Sequence, residues 1–358
     1  MTDREAIIAF NLTDRVGIAT LETLVHEYGS PAAAWEALPE EKRVSRSGND
    51  IDPVAELALA KRYGVTLLTY MDEGYPEILR SAPRFPLCLY IKGDVKALSK
   101  PGVAIVGTRK ASTYGLDHAR IIARDLARQN VNIFSGLALG IDGESHRGAL
   151  EGGGTTVGVL GSALDKFYPE QNRKLAREMV EKGGAVVSQF PFGRECDATT
   201  FPIRNQVVAA LASAVLAIES PKHSGTLLTC QNALDLGRPV MALPGRVDSR
   251  TSEGCLALIR DGAALVRNAK DVCDEIGVKY LEVPKDDKSG DKSAIRTTPY
   301  SIEESIVMRH IDEVGVSMDT LAAKSGFSVM EVMSLTMRLR MKGRLRFLPG
   351  NRVALPAE

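Results

Sequence analysis

VAIVGTRKASTYG, residues 103–115, holds the pattern on which the fold turns. VAIV is apolar at every position, as a strand covered on both faces must be. It breaks at once into Gly107-Thr108-Arg109 and a polar segment in which Ser112 is placed to open a helix. The unit recurs. VNIF (131–134) runs into Ser135-Gly136, TVGVL (156–160) into Gly161-Ser162, and AVLAIES (214–220) into Ser224-Gly225-Thr226. VTLLTY (65–70), CLYIKG (88–93), AVVSQF (185–190) and PVMALPG (239–245) read as further strands, with helical periodicity between several of them. Apolar strands alternating with helices predict an α/β domain over residues 63–280, with a doubly wound, mainly parallel, extended Rossmann-like sheet.

In such sheets ligands bind where strand ends meet helix starts, and the loops there carry a consistent chemistry. Gly107 lets backbone approach an anion, and Arg109 can fork around phosphate oxygens. Ser135 and Gly136 add donors beside it. Lys166 and Tyr168, in Gly161-Ser162-x-Leu164-Asp165-Lys166-x-Tyr168-Pro169, place a cation near a ring on which a base can stack. Arg204 and Asn205 near the start of one helix, with Ser224, Gly225 and Thr226 at the start of another, bring two positive dipole ends together. A phosphate-bearing ligand is the expectation. Tyr168 packed under a proline turn and Arg109 as a solvated turn residue are the competing structural readings.

Catalytic signatures are missing from the sequence. It has no Lys-bearing P-loop, G-x-S-x-G elbow, H-E-x-x-H or paired-cysteine metal motif, so neither metal nor cofactor is expected. His146 is the best general-base candidate, yet a single histidine without a positioned partner reads more readily as a structural hydrogen bonder. The site looks built to bind and not to cleave.

At 358 residues the chain has room for two or three domains of roughly 150 residues each. Forty-five basic against forty-five acidic residues exclude a broad cationic coat, so any anion site must be a local groove. Cys88, Cys196, Cys230, Cys255 and Cys273 read as reduced and mostly buried, no run reaches a membrane span, and the amino terminus lacks a secretory pattern, so a cytosolic protein is expected. Residues 1–62 read as short helices, a module of SAM or helix-hairpin-helix type: Gly29 stops one helix and Ser30-Pro31 starts the next. Residues 281–299 are polar and aperiodic, a linker. Residues 300–358 give three helices and a hairpin turning at Pro349-Gly350-Asn351, the order of a winged helix. Arg338, Arg340, Lys342, Arg344 and Arg346 make a local basic stripe, but eight basic against seven acidic residues over 301–358 favour protein contact over independent DNA reading.

At these loops the chain resembles the DNA-processing protein A family (DprA, also called Smf). IVGTRKASTYG (105–115), SGLALGIDGESHRGAL (135–150), VLGSALDKFYPEQNRKL (159–175), FPIRNQVVAALASAVLAIES (201–220), SGTLLTCQNAL (224–234) and ALPGRVDSRTSEGCLALIRDGA (242–263) carry the likeness in order. The resemblance implies a homodimeric protein that binds and protects single-stranded DNA; because the loops offer phosphate contacts and no base code, strong sequence preference is not expected, and a non-enzymatic binder is the leading expectation. The resemblance further implies loading of RecA recombinase in natural transformation while single-strand binding protein is displaced. Arg109, the Ser135-Gly136 pair, Arg204-Asn205 and Ser224-Gly225-Thr226 fall on the family's motifs, and Lys166 is a looser match. Ser188-Gln189 stands where the family usually reads Ser-Glu, and Ser145-His146 where it usually reads Ala-His. The alternatives are a Rossmann-like nucleotide phosphoribohydrolase, against which Thr229 occupies the place an acid would need, and a duplex-reading transcription factor acting through the winged helix.

Overall fold

The computed structural model describes residues 1–281, 302–312, 314–341 and 343–356, in two units comprising residues 1–282 and 283–358. The first unit opens with α1 (Asp3–Leu12), α2 (Ile18–Tyr28), α3 (Pro31–Ala37) and α4 (Pro53–Tyr63). Local chemistry sets their ends. Thr2 and Glu5 form a capping box on α1, Gly29 stops α2 in the left-handed region, and the Ser30 hydroxyl accepts from the Ala33 amide ahead of the proline that starts α3.

The chain then runs through β1 (Thr66–Thr69), α5 (Glu77–Arg80), β2 (Cys88–Gly93), β3 (Gly102–Val106), α6 (Thr113–Arg128), β4 (Asn132–Ser135), α7 (Ile141–Glu151), β5 (Thr156–Val159) and α8 (Arg173–Glu181). It continues through β6 (Ala185–Ser188), α9 (Thr200–Leu211), β7 (Ala214–Ala217), α10 (Gly225–Asp235), β8 (Val240–Ala242), α11 (Glu253–Arg260), β9 (Ala264–Leu265) and α12 (Ala269–Glu275). All nine strands join one sheet in the order β1-β2-β6-β5-β4-β3-β7-β8-β9. Every pairing from β6 to β9 is parallel, while β1 and β2 add an antiparallel edge.

The apolar runs are apolar throughout because both faces are covered. Along β3, Val103 and Ile105 pack with α6 and α12 on one face, and Ala104 and Val106 with α9 and α10 on the other. The helices α1 to α4 share a third core with the antiparallel edge: Phe10 meets Trp35 edge-on at 5.2 Å, and Tyr90 of β2 meets Phe192 at 5.4 Å. Leaving β3, the chain crosses to β4 on one side, whereas β7 lies on the other. The carboxyl ends of β3 and β7 therefore flank the point where the winding reverses, and a crevice opens there.

The second unit contains α13 (Ile302–Met308), β10 (Val316–Ser317), α14 (Met318–Ser325), α15 (Val329–Met341), β11 (Arg346–Leu348) and β12 (Arg352–Ala354). Its three strands form an antiparallel sheet in the order β10-β12-β11 over its own core. The β11–β12 turn falls at Pro349-Gly350-Asn351, with Gly350 and Asn351 both at positive φ. The expected linker at 281–299 lies, beyond Leu281, outside the described residues. Among the described residues no helix is long and apolar enough to cross a membrane.

Candidate functional site

The crevice has a volume of about 710 Å³ and is walled by the loops after β3, β4 and β7 and by the amino-terminal turns of α9 and α10. Arg109 projects from the first loop, exposed, its guanidinium carbon 4.6 Å from the centre of the Phe201 ring. Lys110, His223 and Arg250 also line the space, and among the described residues no carboxylate lies within ion-pair distance of Arg109, Lys110 or Arg250. Asp142 is the single acid on the wall, and it is itself buried.

α10 presents an open amino end. No side chain caps it, because the Ser224 hydroxyl is hydrogen bonded to the Ser220 hydroxyl at 2.6 Å and the Gly225 and Thr226 amides precede the first turn's bonds. Backbone amides and a helix dipole thus add positive potential that a count of charged side chains does not register.

Arg204 sits behind this surface. It is 5 % exposed, and one guanidinium nitrogen donates to the Gly136 carbonyl and, at 2.8 Å, to the Val159 carbonyl, tying the ends of β4 and β5 to α9. Burial lowers its pKa, as does Arg109, while Asp142 opposes the shift; an arginine stays charged here regardless. Asp142 in turn accepts from the Gly136 amide at 3.1 Å, and burial lifts its carboxyl above the usual range against the pull of Arg204. Gly136 must be glycine, since a Cβ there would overlap the Arg204 guanidinium and lie 2.7 Å from an Asp142 oxygen.

The remaining sequence-derived positions divide between wall and scaffold. Asn205 accepts from Arg204 Nε at 3.1 Å and donates to the Gly225 carbonyl at 3.2 Å, joining α9 to the start of α10. Ser135 is fully buried, its hydroxyl donating to the Ile105 carbonyl at 2.6 Å, and so offers nothing to a ligand. Ser224, Gly225 and Thr226 line the crevice, Thr226 with only 7 % of its surface open. Tyr168 is 46 % exposed on the rim, its ring 6.4 Å from that of Phe201, beside a small recess that Arg109 also borders. Lys166 is not part of the crevice wall; its ammonium lies 3.8 Å from Glu195.

His146 does not reach the crevice. It is fully buried with Nδ1 2.7 Å from the Thr156 hydroxyl, which itself donates to the Ile133 carbonyl; Nδ1 therefore carries the proton and Nε2 is left without a partner. Burial, reinforced by Arg147 and Arg204, drops its pKa to about 3. Thr229, at the place considered for an acid, bonds back to the Gly225 carbonyl at 3.2 Å.

Glu219 escaped the sequence reading. Buried at the end of β7, it accepts from the Ser112 amide (2.8 Å), the Ser112 hydroxyl (2.6 Å) and the Thr251 hydroxyl (3.1 Å), while its carbonyl accepts from the Thr108 amide (2.8 Å). It locks the arginine-bearing loop to the opposite wall. The motif signal was there, an acid closing an otherwise apolar strand, but its partners lie 107 and 32 residues away in sequence.

The fold and the crevice together define a class: Rossmann-like proteins whose switch-point cleft is shaped for an anion. Within it, a family model described as DNA recombination-mediator protein A matches residues 66–277, and one described as DprA-like N-terminal HHH domain matches residues 3–61. The chain belongs to the DNA recombination-mediator protein A family. It is 34 % identical to protein Smf of Escherichia coli over 287 residues, which covers 79 % of this chain and 76 % of that one. Among solved structures it is similar to the X-ray structure of DNA processing protein A from Streptococcus pneumoniae, with a TM-score of 0.62, 30 % identity, and coverage of 78 % of this chain and 99 % of that one. It is also similar to the structure of DNA processing protein A from Helicobacter pylori, described for its single-stranded DNA binding mode, at a TM-score of 0.53 and 29 % identity over 61 % of this chain and 97 % of that one.

Proposed function

We propose that this chain binds single-stranded DNA by its phosphates in the switch-point crevice, with little sequence preference and without cleaving or modifying it. The observation that supports the reading is Arg109: an exposed guanidinium with no acidic partner among the described residues, set against an aromatic ring and lining the same crevice as an open helix end. Phosphate contacts of this kind carry affinity but no sequence code. Tyr168, exposed on the rim, adds a face for stacking a base, which any base can use. In this reading the protein works as a homodimer in the cytoplasm, protects the incoming strand and hands it to RecA as single-strand binding protein leaves. Residues 300–358 form a winged-helix unit serving protein contact.

The test is fluorescence anisotropy with a labelled oligothymidylate, a duplex and a nucleoside monophosphate across a salt series. Tight, salt-sensitive binding of the single strand is expected, with the log–log slope about 0.7 shallower in Arg109→Ala because one phosphate is no longer neutralised. An unchanged slope removes Arg109 from the interface. Free base released from the monophosphate would overturn the binding-only reading. RecA filament growth on strand precoated with single-strand binding protein, with and without this chain, tests the loading step.

A further inference from the structure

Helix α9 borders two spaces. Phe201, Arg204, Asn205 and Val208 face the switch-point crevice, while Thr199, Thr200, Ile203 and Gln206, on and just before the opposite side of the helix, face a second groove of about 470 Å³. The far wall of that groove is the α1–α2 turn, so the helical module and the sheet build it jointly.

The groove carries an excess of positive charge. Arg15, Arg46, Arg84 and Arg194 line it against one acid, Asp14. Arg84 is exposed, with no carboxylate within ion-pair distance among the described residues. Arg15 is exposed and 3.6 Å from Asp14, and Arg194 is paired with Asp197 at 2.5 Å. Arg46 is partly buried and holds the turn in shape by donating to the Thr13 and Val16 carbonyls at 3.1 and 2.9 Å. Helix α2 starts in this groove without a side-chain cap, and the amides of Ile18, Ala19 and Thr20 precede its first internal bond, from the Leu21 amide to the Gly17 carbonyl.

A further, independent feature points to a ligand. Gln189, just past β6, lines the groove with 8 % of its surface open, and its amide nitrogen has no hydrogen-bond partner. A buried donor left unsatisfied is costly, so a native structure seldom keeps one without a use. Free helix amides, a guanidinium unpaired among the described residues and an orphan amide donor thus line one groove, the kinds of group that hold anionic oxygens.

We propose that this groove holds a backbone phosphate of the same nucleic-acid strand that occupies the switch-point crevice, the strand passing over the amino-terminal turn of α9. The proposal rests on the single-strand reading above. It gives the helical module a share in binding and makes affinity depend on strand length, since a short oligonucleotide fills the crevice alone.

The test compares oligothymidylates of about 4 and about 16 nucleotides on the full chain, using wild type, Arg109→Ala, Arg84→Ala and Gln189→Glu. Arg84→Ala removes an exposed side chain and serves as the variant least able to disturb folding, and Gln189→Glu places a negative charge in the groove. Both groove variants should bind the short strand as wild type does and lose about tenfold on the long one, with a salt slope shallower by about 0.7 in Arg84→Ala. Arg109→Ala should weaken both lengths. Equal affinity of wild type and both groove variants for the long strand would overturn the groove proposal and leave the crevice reading standing. Equal losses at both lengths would also overturn it, because the groove would then not be a separate site. Failure of wild type to bind either strand would sink the crevice reading and this proposal with it.

Discussion

Two arginines flank the Phe201 ring, with guanidinium carbons 4.6 and 5.9 Å from its centre, and burial separates their roles. Arg109 is exposed and meets no acid among the described residues, so Arg109→Ala should leave the melting temperature within about 1–2 °C of wild type, a surface change costing little, while weakening the proposed single-strand binding. Arg204→Ala should do the reverse first: it orphans the Gly136 and Val159 carbonyls and leaves Asp142 buried without its cation, a loss of about 3 kcal/mol or more. At 2–4 °C per kcal/mol for a unit this size, the melting temperature should fall by about 10 °C; a wild-type melt would show that Arg204 is no strut. His146 gives a pH test. Its folded pKa, near 3, lies below the unfolded value near 6.5, so protons bind the unfolded chain first and stability declines as pH falls from 6.5 toward 3. At pH 5 this group alone should account for about 2 kcal/mol of the loss relative to pH 8. His146→Asn will be less stable at every pH because it leaves a void, but urea midpoints taken between pH 6.5 and 5 should show a shallower slope than wild type. Parallel slopes would mean the buried imidazole is protonated in the native state.

At the scale of elements, the mostly apolar runs at 103–106, 132–135, 156–159, 185–188, 214–217 and 240–242 all lie on strands with a parallel neighbour, because burial on both faces leaves a recognisable stretch of apolar residues. The antiparallel direction of β1 and β2 was not legible, since a fully buried strand carries the same residues whichever way it runs. The two-residue strand β9 is too short to show any period. At the crevice, the loops and helix starts were legible from their glycines and hydroxyls. What sequence alone could not show was which cations face solvent: Arg204 is turned inward by carbonyls 68 and 45 residues away, and Glu219 gathers partners from two distant loops. Helix pairing has a testable consequence of the same kind. α7 presses on α6 so closely that a Cβ at Gly148 would overlap the Arg120 carbonyl oxygen and lie 2.8 Å from its carbon. In an exposed helix Gly→Ala stabilises by about 1 kcal/mol, whereas Gly148→Ala should destabilise by about 2 kcal/mol through overpacking. The sign of the shift in urea midpoint at unchanged m decides it, and stabilisation would mean the helices are further apart than described.

For the whole molecule, the change of texture near residue 62 marks a change from helices to strands but not a break in the core. Val65, Leu67, Leu87, Cys88, Tyr90 and Phe192 are buried in the same cluster as Phe10, Leu21 and Trp35. Removing residues 1–62 would strip the cover from those six side chains. At about 1.5–3 kcal/mol each for full exposure, the loss approaches or exceeds the roughly 5–15 kcal/mol by which a protein of this kind is stable. The other cut is different in kind, because the second unit has a hydrophobic cluster of its own, from Val307 to Val353. A chain of residues 1–281 should therefore melt cooperatively, elute without aggregation and keep its affinity for a single strand. A chain of residues 63–358 should lose the cooperative transition of its sheet and aggregate, whatever becomes of its small carboxy-terminal unit. Circular dichroism melts and size-exclusion profiles of the two truncations distinguish the outcomes. A sheet that melts cooperatively in the 63–358 chain would show that α1 to α4 are an appendage; its failure would make the helical module part of the folding unit that holds the crevice open.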